Sequence, residues 1–288
     1  MPRKRADAEF SKDAPACLLA ATGARAVWLD FAGPNDDFKA HEPTTEANMA
    51  RLILVHGAWS CARSWGAVGP LLAARGHEVA VPDLPGHGAD PTAPESVSLA
   101  DYARAVAALL PEGPPAVLIG HSMAGMVISA VAEAMPERVA HLIYLAAFLP
   151  RDGDSLLSLK KREGPTIGAA VIPGPVKGTT RLAPELAADY LFHDATPAQR
   201  AEGLRHLGPQ SNAAQTDPVH LTAARVGSVP KSYILCASDR TITPALQKTM
   251  ATETACAAVH TLPTGHFPQL TAAPELAELL NRIISQAA

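Results

Sequence analysis

The sequence has 288 residues, of which 48% are hydrophobic and 18% are charged, and its formal net charge is −4. This length and balance fit one large globular domain, or one domain with an insertion. Basic and acidic residues are mixed along the chain, which argues against a polybasic surface for nucleic acid or anionic lipid. No apolar run reaches the roughly 20 residues that a membrane-spanning helix needs, so we expect neither nucleic acid nor membrane as a partner.

The four cysteines are scattered along the chain, at Cys17, Cys61, Cys236 and Cys256. They form no C-x-x-C pair, and no cysteine and histidine cluster has the spacing of a zinc site. We therefore expect no metal and a reduced, cytoplasmic setting.

Residues 1–48 show no clear periodicity apart from one candidate edge strand, Ala26–Phe31. Their basic start faintly imitates a signal peptide, but Asp7, Glu9 and Asp13 lie where such a peptide is purely positive. We predict an N-terminal extension at 1–48, outside a catalytic domain at 49–288. Met49 stands immediately before the first core strand.

From Arg51 onward, short β-branched apolar runs alternate with longer segments of helical spacing, as in βαβ units with a parallel sheet buried on both faces. The predicted strands are Leu52–Val55, Glu78–Val81, Ala116–Ile119, His141–Ala146, Ser232–Cys236 and Ala258–Leu262. The predicted helices between and after them are Ser64–Arg75, Ser98–Leu110, Met123–Met135, Pro244–Thr252 and Pro274–Ser285. The fold class is therefore α/β, a mostly parallel sheet of about six core strands with helices on both faces.

The alternation breaks between about residues 150 and 229. This stretch begins rich in proline and glycine, and it becomes helical near Pro184–Leu191 and Pro197–Leu207. It is too long for an ordinary connection. We interpret it as a lid inserted between core strands.

The strongest local signal is Gly120-His-Ser-Met-Ala124, which follows a buried strand and opens a helix. This is the context of a nucleophile elbow, in which a serine on a strained turn requires small neighbours two residues away. Gly120 meets that requirement, and Ala124 replaces the usual glycine. A serine in a chance turn of small residues is the alternative, but the strand and helix favour Ser122 as a nucleophile.

A serine hydroxyl needs a base, and the fold order predicts the acid and then the histidine after the serine. His266 lies between the last strand and the last helix, where the base should be; a loop histidine without a catalytic role is the alternative. His260 falls inside a strand pattern, and His121 adjoins the serine and should point away from it. Asp239 follows the preceding strand and would orient the imidazole, although an aspartate there could also simply form a turn.

Acyl transfer develops an oxyanion, which requires preorganised N–H donors. One donor is predicted at the residue after the nucleophile, Met123. The second is predicted in the loop after the first core strand, at Ala58.

Together these motifs resemble the plant methylesterase and hydroxynitrile lyase family of α/β-hydrolases, with its bacterial esterase relatives. The resemblance covers about residues 50–288 and rests on Leu54-Val-His-Gly-Ala-Trp59, Pro82-Asp-Leu-Pro-Gly-His-Gly88, Gly120-His-Ser-Met-Ala-Gly125, Ser238-Asp-Arg-Thr-Ile-Thr-Pro244 and Gly265-His-Phe267. It implies a Ser122, Asp239 and His266 triad, an oxyanion hole at Ala58 and Met123, and substrate contacts at Gly57, Trp59 and Phe267. In the lyases a lysine follows the catalytic histidine and a threonine lies near the oxyanion loop, where this chain has Phe267 and Gly57.

These departures favour ester hydrolysis over cyanohydrin cleavage. Cys61 and Arg63, near the pocket mouth, also depart from the family, which puts any carried-over substrate preference in doubt. We predict a serine carboxylesterase that acts on small to medium esters through an acyl-enzyme and needs no cofactor. The alternatives are a hydroxynitrile or carbon–carbon lyase on the same triad, and a hydrolase-fold receptor for a small ligand. The partner is then a small-molecule ester, and a homodimer is left open.

Overall fold

The computed structural model describes residues 49–110 and 112–287. The extension predicted at 1–48 and its edge strand Ala26–Phe31 lie outside the described residues. In the described part, six strands form one parallel sheet: β1 (Arg51–Val55), β2 (Glu78–Ala80), β3 (Ala116–His121), β4 (Val139–Leu145), β8 (Lys231–Cys236) and β9 (Ala258–Leu262). Their order across the sheet is β2-β1-β3-β4-β8-β9. The predicted α/β fold with six parallel core strands is confirmed.

Helices cover both faces of this sheet. The helices that precede or follow its strands are α1 (Val68–Ala73), α2 (Leu99–Ala107), α3 (Ala124–Ala134), α8 (Pro244–Glu253), α9 (Pro268–Thr271) and α10 (Ala273–Ala287). Successive residues of a strand point to opposite faces, so Ile53 and Val55 pack with α2, α3 and α8, whereas Leu52 and Leu54 pack with α1 and α10. The central strands of the sheet are therefore buried between two apolar layers, one on each face.

Two helix starts follow from local capping. Ser98 and Asp101 form a capping box at the start of α2, in which the Ser98 hydroxyl accepts the Asp101 N–H and the Asp101 carboxylate accepts the Ser98 N–H. The Thr243 hydroxyl accepts the Leu246 N–H at the start of α8, whose first residue is Pro244.

The predicted helix Ser64–Arg75 is divided in two. A 3₁₀ turn spans Ala62–Trp65, and α1 begins only at Val68. Gly66 between them has a φ of 48°, which is left-handed backbone that glycine adopts without a Cβ clash. The break at Gly66 therefore explains why a continuous helix does not form.

The strand β9 differs from the expectation of a strand covered on both faces. It lies at the edge of the sheet, and its residues alternate between half-buried or buried and exposed, with Val259 51% exposed. Only one face of β9 packs on the core.

The segment between β4 and β8 adds a second, antiparallel sheet, in the order β5-β6-β7. Its elements are α4 (Leu156–Lys160), β5 (Val171–Pro173), β6 (Thr179–Leu182), α5 (Pro184–Leu191), α6 (Pro197–Arg205), β7 (Gln210–Ser211) and α7 (Ala213–Thr216). We call residues 150–229 the inserted segment. Its apolar side chains form a cluster that includes Leu182, Leu191 and Phe192 together with Trp59 and Phe267 of the core.

Candidate active site

Ser122 lies on the turn between β3 and α3 with a φ of 56°. A non-glycine residue is strained in this left-handed region, and such strain persists only where the surroundings impose it. Here the Ser122 N–H donates to the Leu145 carbonyl at 3.2 Å, and the Ser122 carbonyl accepts the N–H groups of Gly125 and Phe148 at 3.2 and 3.0 Å. The backbone thus holds the hydroxyl at the carboxyl end of the sheet.

The small residues around Ser122 allow this turn. A Cβ on Gly120 would lie 2.9 Å from the carbonyl oxygen of Ala124, and one on Gly125 would lie 1.9 Å from the carbonyl oxygen of Phe148. Neither distance is tolerated between real atoms. The two glycines are therefore required by the close approach of α3 to the strand ends.

The structure brings Ser122, His266 and Asp239 into one hydrogen-bonded chain. His266 Nε2 lies 3.1 Å from Ser122 Oγ, and His266 Nδ1 lies 2.8 Å from Asp239 Oδ2. A carboxylate can only accept, so Nδ1–H donates to Asp239, and Nε2 of the neutral ring is free to accept the Ser122 proton. The imidazole is thereby set in the tautomer that a general base requires.

Asp239 is fully engaged by hydrogen-bond donors. Its Oδ1 accepts the N–H groups of Thr241 and Ile242 at 2.7 and 3.0 Å. Its Oδ2 accepts Gln247 Nε2 at 2.9 Å in addition to His266. These bonds fix the plane of the carboxylate and leave it no freedom to turn away from the imidazole.

The loop that carries His266 is held on both sides. The His266 carbonyl accepts His121 Nε2 at 2.8 Å, and the Gly265 N–H donates to Asp194 Oδ2 at 2.6 Å. Burial lowers the pKa of His121 well below its ordinary value, so this ring is neutral. The structure thus places His121 against the His266 backbone, while His260 lies half-buried on the edge strand β9.

The loop after β1 passes directly beside the nucleophile. A Cβ on Gly57 would lie 2.8 Å from Ser122 Cβ, so only glycine fits there. His56 Nδ1 donates to the Gly57 carbonyl at 2.9 Å, and His56 Nε2 accepts the Leu84 N–H at 3.0 Å. Burial lowers the pKa of His56 to about 4, which keeps the ring neutral.

This bond also orients Ala58. In a trans peptide the C=O and N–H groups point in opposite directions, so fixing the Gly57 carbonyl fixes the direction of the Ala58 N–H. Within residues 49–110 and 112–287, neither the Ala58 N–H nor the Met123 N–H makes a hydrogen bond. Met123 precedes the first residue of α3, where N–H groups have no helical partner. Two donors are therefore available around Ser122.

The profile of the Alpha/beta hydrolase family matches residues 52–279. The chain belongs to this family.

Three relatives illustrate the similarity. The hydrolase is 32% identical over 257 residues to the pyrethroid hydrolase of Sphingobium wenxiniae, covering 80% of this chain and 85% of the relative. It is 25% identical to methylesterase 9 of Arabidopsis thaliana, covering 82% and 98%. The solved structure of a pyrethroid hydrolase from Sphingobium faniae superposes with a TM-score of 0.71 at 29% identity, covering 82% of this chain and 97% of that one. The predicted family resemblance is confirmed.

The three predicted substrate contacts occupy different surroundings in the hydrolase. Gly57 packs against Ser122, as described above. Trp59 is buried, has a φ of 56°, and donates its indole N–H to Thr180 Oγ1 of β6 at 3.1 Å. Phe267 is buried with its ring against the rings of His266, His121 and Phe192. Contact of these residues with a substrate stays a prediction.

The inserted segment is hydrogen-bonded to each of the three loops around Ser122. Gly208 N–H donates to the Trp59 carbonyl at 2.8 Å, Asp194 accepts the Gly265 N–H, and Thr241 Oγ1 donates to the Tyr190 carbonyl at 3.1 Å. Ser122 itself is only 8% exposed. The inserted segment thus supports the loops of the site, and its role as a lid stays a prediction.

Two residues that position the site, Gln247 and Asp194, were not singled out from the sequence. One usable signal pointed to Gln247, because this amide lies eight residues after Asp239 and inside a predicted helix. The structure places it in α8, fully buried. Asp194 carried no such signal, because its bond to Gly265 joins residues 71 positions apart.

No group of three His, Cys, Asp or Glu side chains in the described ranges is arranged to hold a metal ion. No helix among the described residues is long and apolar enough to cross a membrane. Cys61, Cys236 and Cys256 are free thiols, and Cys17 lies outside the described residues.

Proposed function

We propose that this hydrolase is a serine carboxylesterase that cleaves small to medium carboxylic esters through an acyl-enzyme. The observation that carries the proposal is the chain from Ser122 Oγ through His266 to Asp239, with the serine on a backbone of positive φ. Membership in the α/β-hydrolase family, with esterases among the curated relatives, makes the protein a carboxylic ester hydrolase. The proposal adds the residues and the mechanism.

In the first half of the reaction, His266 Nε2 takes the Ser122 proton as Oγ attacks the ester carbonyl carbon. The carbonyl oxygen becomes an oxyanion, which the N–H groups of Ala58 and Met123 would stabilise. His266 then gives its proton to the alcohol oxygen as the carbon–oxygen bond breaks, and the acyl group remains on Ser122.

In the second half, His266 Nε2 takes a proton from water as the water oxygen attacks the acyl carbon. Collapse of this second tetrahedral intermediate breaks the bond to Ser122 Oγ, and His266 returns the proton to the serine. Asp239 stabilises the imidazolium in both halves. Every role is filled by a side chain or a backbone N–H, so we expect catalysis without a cofactor.

The surroundings favour an ester with apolar groups. Trp59, Phe267 and Phe192 lie in one apolar cluster between the core and the inserted segment. The names of two relatives, pyrethroid hydrolase and methylesterase 9, support hydrolysis and, for the second, an ester substrate. The hydroxynitrile lyase alternative is disfavoured, because Phe267, which follows His266, offers no charge to cyanide. Cytoplasmic localisation and a dimer stay predictions.

The decisive experiment is Ser122→Ala, tested on a panel of p-nitrophenyl esters of increasing acyl length. Loss of the nucleophile should reduce kcat/KM by about a thousand-fold or more and abolish covalent labelling by a fluorophosphonate. Ser228→Ala is the matched control, because Ser228 is exposed and should keep wild-type rates. A Ser122→Ala protein with activity within tenfold of wild type would refute the proposal, as would cyanide release from mandelonitrile at rates like those of ester cleavage.

A further inference from the structure

Trp59, the residue after Ala58, forms three hydrogen bonds with the inserted segment. Its N–H donates to Gln210 Oε1 at 3.3 Å, its carbonyl accepts the Gly208 N–H at 2.8 Å, and its indole donates to Thr180 Oγ1 at 3.1 Å. Its φ of 56° is strained for a non-glycine residue. External bonds are therefore what keeps this backbone in place.

Gln210 continues this contact into the core. Its Nε2 donates to the Tyr102 hydroxyl of α2 at 3.0 Å. The Tyr102 hydroxyl lies 2.9 Å from His87 Nε2, and His87 Nδ1 lies 3.0 Å from the Ser60 carbonyl. The network begins at the Trp59 N–H and returns to the Ser60 carbonyl on the same loop.

The direction of each hydrogen bond in this network is determined. The Ser60 carbonyl can only accept, so His87 donates from Nδ1 and accepts the Tyr102 proton at Nε2. The Tyr102 oxygen then accepts from Gln210 Nε2, and Gln210 Oε1 accepts from Trp59. Burial lowers the pKa of His87 to about 3, so the ring is neutral and the order of bonds holds near neutral pH.

All three side chains in the network are buried, with Gln210 and Tyr102 fully inaccessible to solvent. A buried polar network is stabilising only when each member is satisfied. Gln210 Nε2 also donates to the Ser211 carbonyl at 3.3 Å, so the amide keeps one acceptor if Tyr102 is lost. Loss of Gln210, by contrast, leaves the Trp59 N–H without its partner and removes a donor from the Tyr102 hydroxyl.

We infer that Gln210 is a positioning residue for the oxyanion hole, and that it acts with Tyr102 and His87 by fixing the backbone of residues 58–60. His56 fixes the peptide on one side of Ala58 through the Gly57 carbonyl, and Gln210 fixes the peptide on the other side through the Trp59 N–H. The bond from His56 sets the direction of the Ala58 N–H, and the bond to Gln210 holds Ala58 from its other side. Because Gln210 lies in β7, the packing of the inserted segment on the core is coupled to oxyanion stabilisation.

This inference rests on the proposed function, and Gln210→Met tests it. Methionine keeps the length of the side chain but removes both polar atoms. The Ala58 donor and the His56 bond remain, but the restraint on the peptide after Ala58 is lost and the donor shifts. We therefore expect kcat for p-nitrophenyl butyrate to fall about 10- to 100-fold, less than the roughly 100- to 1,000-fold cost of deleting a donor. KM should stay within about threefold, and affinity for an alkylboronic acid, whose tetrahedral adduct uses the oxyanion hole, should fall with kcat.

Gln199→Met is the matched control. Gln199 also joins the inserted segment to the core, through Leu270, but does not contact residues 58–60. Its kcat should stay within about twofold of wild type. Equal kcat in folded Gln210→Met and Gln199→Met would overturn the inference, as would a Gln210→Met loss confined to KM.

Where Gln210→Met does not fold, Tyr102→Phe decides, since it removes one oxygen atom from the same network. A kcat lowered by threefold or more, with KM maintained, supports the inference, and an unchanged kcat overturns it. Ser122→Ala distinguishes failure of the proposed function from failure of the role inferred for Gln210. If that variant is active, the proposed function fails; if it is inactive while Gln210→Met is normal, only the role of Gln210 fails.

Discussion

Asp239 accepts four hydrogen bonds, and its two oxygens have different partners. Oδ1 accepts two backbone N–H groups, whereas Oδ2 accepts His266 and Gln247. In an Asp239→Asn variant, the backbone donors would retain the amide oxygen at the Oδ1 position. The amide NH₂ would then face two donors, His266 Nδ1–H and the Gln247 amide.

We therefore predict that Asp239→Asn forces His266 into the wrong tautomer, with its proton on Nε2, where it cannot accept the serine proton. In serine proteases the equivalent change costs about 10⁴-fold in kcat, and we expect a loss of several hundred-fold or more here, measured as kcat on p-nitrophenyl esters. Asp189→Asn, at an exposed carboxylate of α5, should be neutral. If Asp239→Asn were silent while Asp194→Asn was inactive, Asp194 would replace Asp239 as the acid.

Local sequence patterns predicted much of the candidate site. Ser122, His266 and Asp239 each follow a strand of the parallel sheet, and the carboxyl ends of parallel strands meet at one edge of the sheet. Asp194 and Gln210 bond residues 71 and 151 positions away in the chain, which no local pattern encodes. Their hydrogen bonds depend on how the inserted segment packs, which periodicity does not reveal.

At the scale of elements, the packing of α3 against the strand ends fixes the elbow. The Gly125 N–H donates to the Ser122 carbonyl, and a Cβ at Gly125 would overlap the Phe148 carbonyl oxygen. Phe148 itself donates to Ser122. A side chain at position 125 must therefore displace backbone that holds the nucleophile.

We predict that Gly125→Ala lowers the free energy of unfolding by about 1–3 kcal/mol, the usual cost of overpacking, and lowers kcat with it. Urea denaturation and steady-state kinetics measure the two effects. Gly164→Ala is the control, because a Cβ there meets no atom within 4 Å. A Gly125→Ala protein as stable and as active as Gly164→Ala would contradict this account of the elbow.

Elements with strong periodicity or capping were predictable, and those of the inserted segment were only partly so. Helix α5 was predicted at Pro184–Leu191, where the structure has it, and α6 ends two residues earlier than predicted. The sheet of β5, β6 and β7 was not predicted. Its strands have three, four and two residues, too few to establish an alternating pattern, and β6 pairs with β7 about 30 residues away.

At the scale of the whole molecule, the family match begins at residue 52, and methylesterase 9 is covered over 98% of its length by 82% of this chain. This supports the proposal that residues 49–288 form the catalytic domain. The first described residues are already tied to the core, since the Ala50 N–H donates to His77 Nδ1 at 3.3 Å and Arg51 pairs with Glu78.

The molecule also buries several histidines in the neutral state, and this sets its response to acid. Burial lowers the pKa of His56 to about 4 and that of His87 to about 3, from an ordinary value of 6.5. Below pH 6.5 the unfolded chain therefore binds protons that the folded protein does not. Stability is fully present above pH 6.5 and is lost as the pH falls toward 4 and then 3.

We predict that the free energy of unfolding falls between pH 7 and pH 5, with His87 responsible for about 2 kcal/mol of the decrease. The His87→Gln variant removes that titration. Urea denaturation at pH 7 and at pH 5 gives the decrease in unfolding free energy for each protein. This decrease should be about 2 kcal/mol smaller in His87→Gln than in wild type. His220→Gln is the control, because the His220 side chain is 87% exposed and solvent surrounds it in both states. An equal drop in wild type and His87→Gln would show that His87 is protonated in the folded protein, which would leave its Nε2 unable to accept from Tyr102.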